Sequence, residues 1–163
     1  WFTNSDFSFT NSGAYHGPGW PEGVVRVSNL WSTLPFANTL CTGTMSGISI
    51  FRLFNFSTAS ATFEGEDTVD GGDLLQVSGV RVTYNTELVN NRLVSLEMWN
   101  ETRQEYLPVE RLKMYNFVSD SYNCLFRDPT YLMVGKMLTI PGEEPGQVGP
   151  QNVQETVAKY LTY

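Results

Sequence analysis

The sequence predicts an α+β fold, and three observations carry that prediction. Residues 74–84 and 92–99 alternate apolar and polar side chains, as half-buried strands do, with a turn between them. Apolar residues recur at helical spacing only in short stretches, within 47–56 and 153–161. The two patterns do not alternate as βαβ units, so hairpins and helices are segregated.

Taken in order, Asp6-Phe7-Ser8-Phe9-Thr10 reads as a strand ending in a turn at Asn11. Residues 17–23 hold two prolines and three glycines and read as a loop. Val24-Val25-Arg26-Val27 reads as a short or edge strand, after which Ser28 and Asn29 are placed to cap a brief helix carrying Leu30, Trp31 and Leu34. Residues 39–45 form a strand, and Ser46 caps a helix in which Ile48, Phe51 and either Ile50 or Phe54 share a face.

Residues 58–72 are polar and acidic, with Glu64, Glu66, Asp67 and Asp70 among glycines, and read as a solvated loop. Their spacing does not match a calcium-binding loop of the helix–loop–helix kind. Residues 74–84 read as one long strand, paired as an antiparallel hairpin with 92–99. Residues 100–104 form a polar turn and 113–118 another strand. Residues 141–150 hold three prolines and three glycines and read as an extended loop, before a last helix capped by Asn152.

The chain of 163 residues is read as a single domain, 1–163, long enough to bury roughly 70% of its unfolded surface. With 10 Lys+Arg and a net charge of −7 it lacks the basic patch that binds nucleic acid or an anionic membrane. A small anionic ligand needs only one or two cations and is not excluded. No apolar run approaches the length of a membrane span, and no signal peptide is visible. An opening Trp1-Phe2-Thr3 without methionine reads as processed or cut from a longer chain.

Two cysteines, Cys41 and Cys124, either form a disulfide or are buried thiols. Asn55-Phe56-Ser57 and Asn100-Glu101-Thr102 are sequons, making Asn55 and Asn100 the glycan acceptors. With the cysteine pair they point to an extracellular or cell-surface protein.

Three motifs then stand in register. Asn11-Ser12-Gly13 is followed, across a loop, by Leu34-Pro35-Phe36-Ala37-Asn38-Thr39-Leu40, and later by Gly72-Asp73-Leu74-Leu75-Gln76-Val77-Ser78-Gly79-Val80. They resemble the N-G-G-G-I-R, L-P-F-G-N-T-L and G-x-F-L-Q-V-S-G-I/L segments of the 5′-nucleotidase C-terminal domain. The resemblance runs from about Asp6 to Tyr122. It implies a four-layer α-β-β-α arrangement in which two mixed sheets lie between helices.

The resemblance also implies a division of labour. In that family a separate N-terminal metallophosphatase domain holds two divalent metals and hydrolyses the substrate. The C-terminal domain binds the nucleoside and rotates to deliver the phosphate. By that likeness Asn11 contacts the ligand near its base, Gly13 permits the turn, Phe36 stacks on the base, Asn38 reads its edge and Gly72 borders the ribose.

Departures from the pattern fall on the same pocket. His16 stands where the family's motif ends in arginine, and an imidazole cannot replace a bidentate guanidinium. The family's second stacking ring sits in a G-G-D-G-[YF] segment; here residues 125–131 read Leu-Phe-Arg-Asp-Pro-Thr-Tyr, leaving Tyr131 for that ring and Arg127 as a source of charge. By the same likeness the domain is expected to lack the family's opening helix before Trp1.

The chain itself carries no visible catalytic machinery. It has one histidine, no converging set of metal ligands, and no G-K-[ST] after Gly71-Gly72 to make a phosphate loop. No cofactor is therefore expected on this chain, and divalent metals only on the missing domain. The expected function is nucleoside or nucleotide binding within a secreted or cell-surface phosphohydrolase, the partner being a metallophosphatase domain or a second copy. The alternative is a non-catalytic extracellular glycoprotein module that uses the scaffold for protein contacts.

Overall fold

Phe7 and Phe9, alternating with Ser8 and Thr10, give the first strand one apolar and one polar face, and the rest of the sheet is built on that strand. The computed structural model describes residues 4–17, 19–20, 22–59, 61–64, 67–125 and 144–162. In chain order the strands are β1 (Phe7–Asn11), β2 (Thr39–Ser46), β3 (Thr62–Glu64), β4 (Asp67–Asp70) and β5 (Leu75–Ser78). They continue as β6 (Val80–Tyr84), β7 (Leu93–Asn100), β8 (Glu105–Pro108), β9 (Met114–Asp120) and β10 (Glu144–Asn152). The helices are α1 (Val27–Thr33), α2 (Gly47–Ser57), α3 (Ser121–Leu125) and α4 (Val153–Leu161).

Five strands form one mixed sheet in the order β10-β2-β9-β1-β5, in which β1 runs parallel to β9 and antiparallel to β5. A second sheet, β6-β7-β8, is antiparallel throughout, and β3 and β4 make a separate ribbon. This is the expected α+β class. Of the two main sheets only the five-stranded one is mixed.

The core lies between the two sheets and α2. Phe7, Phe9, Met45 and Phe117 enter it from the five-stranded sheet, Leu96 and Met98 from the three-stranded one, and Ile50, Leu53 and Phe54 from α2. The helical three are fully buried, each contributing about 1.5–3 kcal/mol by leaving water. α2 starts where Ser46 accepts a hydrogen bond from the Ser49 amide, as the sequence predicts. On the opposite face of the five-stranded sheet, Leu30 of α1 and Val153 and Val157 of α4 stand over Ser8, Thr10, Leu40 and Val118.

The disulfide alternative holds: Cys41 and Cys124 are joined, with Cα atoms 6.5 Å apart, tying β2 to α3.

Four expectations need correction. Residues 24–27 are not a strand: Val24 and Val27 are exposed, Arg26 is the extended cap, and its amide donates to the Asn29 side chain as α1 begins. The acidic stretch 58–72 is not all loop, because β3 and β4 pair within it. Residues 74–84 are two strands in different sheets, broken at Gly79 with φ +78°. A Cβ there would fall 2.5 Å from the Asp6 carbonyl oxygen, so only glycine lets the chain cross between sheets. Finally, much of 141–150 is strand, since β10 spans Glu144–Asn152. It pairs with β2 at the sheet's edge with two breaks in register, where prolines lose no ladder partner.

Candidate functional site

The site is assembled by hydrogen bonds that join the sequence motifs. β1 and β5 pair antiparallel, setting Asn11 opposite Leu75. Beyond the strand end the Ser12 amide and hydroxyl both donate to the Leu74 carbonyl, at 2.7 and 2.8 Å, and Gln76 Nε2 donates to Ser12 Oγ at 2.9 Å. The Gly13 amide donates to the Gly72 carbonyl at 2.8 Å. Gly13 sits so close that a Cβ would approach Asn11 Nδ2 to 3.0 Å and Gly72 O to 3.3 Å. The motif around Asn11 and the one around Gly72 are therefore locked into a single turn.

The third motif reaches this turn through His16. The His16 amide donates to the Thr33 carbonyl at 2.8 Å, at the end of α1. Its ring meets that of Phe36 edge-on, with centroids 5.2 Å apart and planes at 75°. Asn38 is held at the start of β2, its carbonyl accepting from the Val153 amide at 2.9 Å.

These residues enclose a recess of about 270 Å³ lined by Asn11, Gly13, Ala14, Phe36, Asn38, Gly72, Asp73 and Tyr122. Phe36 is 47% exposed, so its ring is available to a ligand. Asn11 is buried; its Nδ2 donates to the Gly72 carbonyl at 3.1 Å, while its Oδ1 is buried with no partner. That bond fixes the amide's orientation, because the reverse would set two acceptors together. An orphan buried acceptor costs free energy unless a donor meets it.

Of the residues the sequence singled out, Asn11, Gly13, Phe36, Asn38 and Gly72 line this one recess, and His16 braces Phe36 from outside it. Tyr131 and Arg127 lie outside the described residues. Three lining residues went unmarked in the sequence: Ala14, Asp73 and Tyr122. For Tyr122 a signal existed, since it lies two residues before Cys124, whose disulfide partner Cys41 follows Asn38 closely.

The sequon residues differ in setting. Asn55 lies within α2, its Oδ1 accepting from the Leu93 amide at 3.3 Å, and Ser57 is fully buried. Asn100 closes β7 and opens a turn, its Oδ1 accepting from the Arg103 amide at 2.9 Å. Among the described residues no group of three or more His, Cys, Asp or Glu side chains is placed to hold a metal. No helix among them is long and apolar enough to cross a membrane.

The sequence matches the family described as 5'-nucleotidase, C-terminal domain, over residues 1–128. The chain belongs to that family. Solved structures share the fold. A 5'-nucleotidase precursor from Thermus thermophilus superposes with a TM-score of 0.75 at 21% identity, over 96% of this chain and 28% of its own. The NAD nucleotidase of Haemophilus influenzae gives 0.75 at 27% identity, over 96% of this chain and 27% of its own. The Thermus thermophilus sulfate thiohydrolase SoxB gives 0.61 at 16% identity, covering 96% of this chain and 26% of that one. This chain thus spans less than a third of the proteins it resembles. No protein of curated function matches its sequence significantly.

Proposed function

We propose that this 5′-nucleotidase C-terminal domain binds a nucleoside or nucleotide, as the substrate-holding part of a secreted or cell-surface phosphohydrolase. Hydrolysis would belong to a separate domain with two divalent metals; this chain would hold and position the substrate. The observation that carries the reading is the recess in which a half-exposed Phe36 ring stands with Asn38 and with the unpaired Oδ1 of Asn11.

In this reading the base stacks on Phe36, an interaction that tolerates any base and is worth about 1–3 kcal/mol. Asn38 donates and accepts along the base edge. Asn11 Oδ1 takes a hydrogen from a ring or exocyclic nitrogen, which relieves its unmet demand. Gly72 and Asp73 border the sugar. Titration of the chain with adenosine and with AMP, beside Phe36→Ala, tests the reading. Binding that is abolished or strongly weakened by the substitution supports it; equal binding by both proteins overturns it.

His16 favours a second reading, a non-catalytic extracellular glycoprotein module that keeps the scaffold for protein contacts. Its imidazole is turned to Phe36 and to the Gly13 carbonyl, 3.1 Å from Nε2. A stable oligomer or partner complex, with no response to nucleoside or nucleotide, distinguishes this reading from the first.

A further inference from the structure

A second, larger cavity of about 490 Å³ lies between the outer face of the five-stranded sheet and helices α1 and α4. That volume is ordinary for a small-molecule site. Its helical walls are aliphatic, with Leu30 and Leu34 on one side and Val153 and Val157 on the other, while the sheet contributes Ser8, Thr10, Gln76 and Ser78. The half-exposed rings of Tyr15 and Trp20 also line it, and the Trp20 indole is anchored by donating to Thr33 Oγ1 at 2.6 Å.

One lining residue is out of character with these walls. Asp120 is only 5% exposed. Its carboxylate accepts from Thr10 Oγ1 at 2.7 Å, from Asn123 Nδ2 at 2.9 Å and from the Asn123 amide at 3.1 Å. All three donors are neutral. The ion pairs among the described residues, Arg81–Glu97 and Arg103–Glu105, do not involve it. Buried carboxylates are ordinarily met by a cation, because neutral hydrogen bonds do not fully replace the water that is lost. The field of Asp120 is felt across the cavity: burial first, and the charge of Asp120 second, raise the Tyr15 phenol above its ordinary value.

We propose that this cavity binds a protonated organic amine with a compact apolar body. The ammonium pairs with Asp120, the body fills the space between Leu30, Leu34, Val153 and Val157, and the aromatic side chains of Tyr15 and Trp20 line the same cavity. The site adjoins the recess proposed for the nucleoside and extends away from it. The two share Ala14, Phe36 and Asn38, but Asp120 lines only the larger and Asn11 and Tyr122 only the smaller. An anion of the same shape is excluded by the carboxylate.

Calorimetric titration of the whole 163-residue chain with benzylamine, benzyl alcohol and benzoate tests the proposal. Benzylamine binds ~10-fold or more tighter than the alcohol, the margin of a hydrogen bond to a charged group, and benzoate does not bind. Asp120→Asn, which keeps the side chain's shape, brings benzylamine down to the level of the alcohol and leaves an adenosine titration unchanged. Val157→Phe, which fills the cavity with Asp120 intact, excludes both benzylamine and benzyl alcohol, so a folding defect in the first variant does not decide the matter. Equal binding of amine and alcohol, selectivity that survives Asp120→Asn, or no amine binding to the folded chain overturns the proposal.

Discussion

His16 Nε2 lies 3.1 Å from the Gly13 carbonyl while the imidazole ring stands edge-on to Phe36. A carbonyl only accepts, so Nε2 carries the hydrogen, and the ring is oriented by this bond. The residue at the family's arginine position therefore serves here as a brace. Its backbone amide is also committed, to Thr33. Phe36→Ala is expected to weaken adenosine binding by about 5- to 150-fold, the equivalent of one stacked base. His16→Ala removes that edge contact and the imidazole's hydrogen bond to Gly13, and is expected to cost about 2- to 10-fold. Calorimetric titration of the three proteins gives the order; a larger loss for His16→Ala than for Phe36→Ala would reverse the roles.

The Cys41–Cys124 bridge closes 83 residues of chain, and the loop-entropy account assigns such a closure about 4.5 kcal/mol. Reduction, or the double replacement Cys41→Ala with Cys124→Ala, should lower the urea midpoint by a large fraction of the total stability. It should also loosen Tyr122, two residues from the bridge and lining the recess, so nucleoside affinity should fall with it. A midpoint unchanged under reducing conditions would mean that native packing already confines α3 against β2.

The sequence shows most clearly what local chemistry decides. Alternation located β1 and β7, and Ser46 and Asn152 cap α2 and α4 as their positions predict. The three motifs named the recess because each supplies a turn or a ring that pairing then brings together. Where partners decide, the sequence is silent. The ribbon β3–β4 is polar, and its packed feature is Phe63 beneath the Arg92 guanidinium, 29 residues away in sequence. β10 carries Pro145 and Pro150, which argue against a strand until its edge position is known. Within residues 74–84 the apolar positions shift phase at Gly79, from 75 and 77 to 80, 82 and 84, and the positive φ of that glycine marks where the chain changes sheets.

Gly79→Ala tests that junction. The left-handed backbone disfavours any Cβ by about 1–2 kcal/mol. The added atom would also meet the Asp6 carbonyl oxygen at 2.5 Å. The Gly79 carbonyl accepts from Trp99, so the peptide cannot simply turn away. A loss of about 2 kcal/mol or more in urea unfolding is expected. Unchanged stability would show that β5 and β6 can separate without strain.

Arg92 is 8% exposed, and its guanidinium donates to the carbonyls of Leu88, Thr58 and Ala61 while covering the Phe63 ring. It thus holds the end of α2, the start of the ribbon and the loop before β7 together. Arg92→Met keeps the apolar stem and strands the carbonyls, at about 1–3 kcal/mol for each one left buried. Urea unfolding should register the loss, and amide exchange in β3 and β4 should accelerate more than in β9. Uniform acceleration across the protein would mean that Arg92 supports the whole fold and has no special hold on the ribbon.

Tyr84 packs against the core, and burial pushes its phenol up to about 12. Burial likewise raises Tyr115 and Tyr15. In the unfolded chain a tyrosine ionises near its ordinary value of about 10. Below that pH both states keep the proton and stability does not change on this account. Between about 10 and 12 the unfolded state releases a proton that the native state retains, so stability falls as pH rises. Urea midpoints measured across this alkaline range should therefore decline, and the absorbance of tyrosinate should lag behind that of the unfolded chain. Tyr84→Phe removes one of the responsible groups and should make the decline shallower. A decline of equal slope in that variant would assign the alkaline sensitivity to Tyr15 and Tyr115.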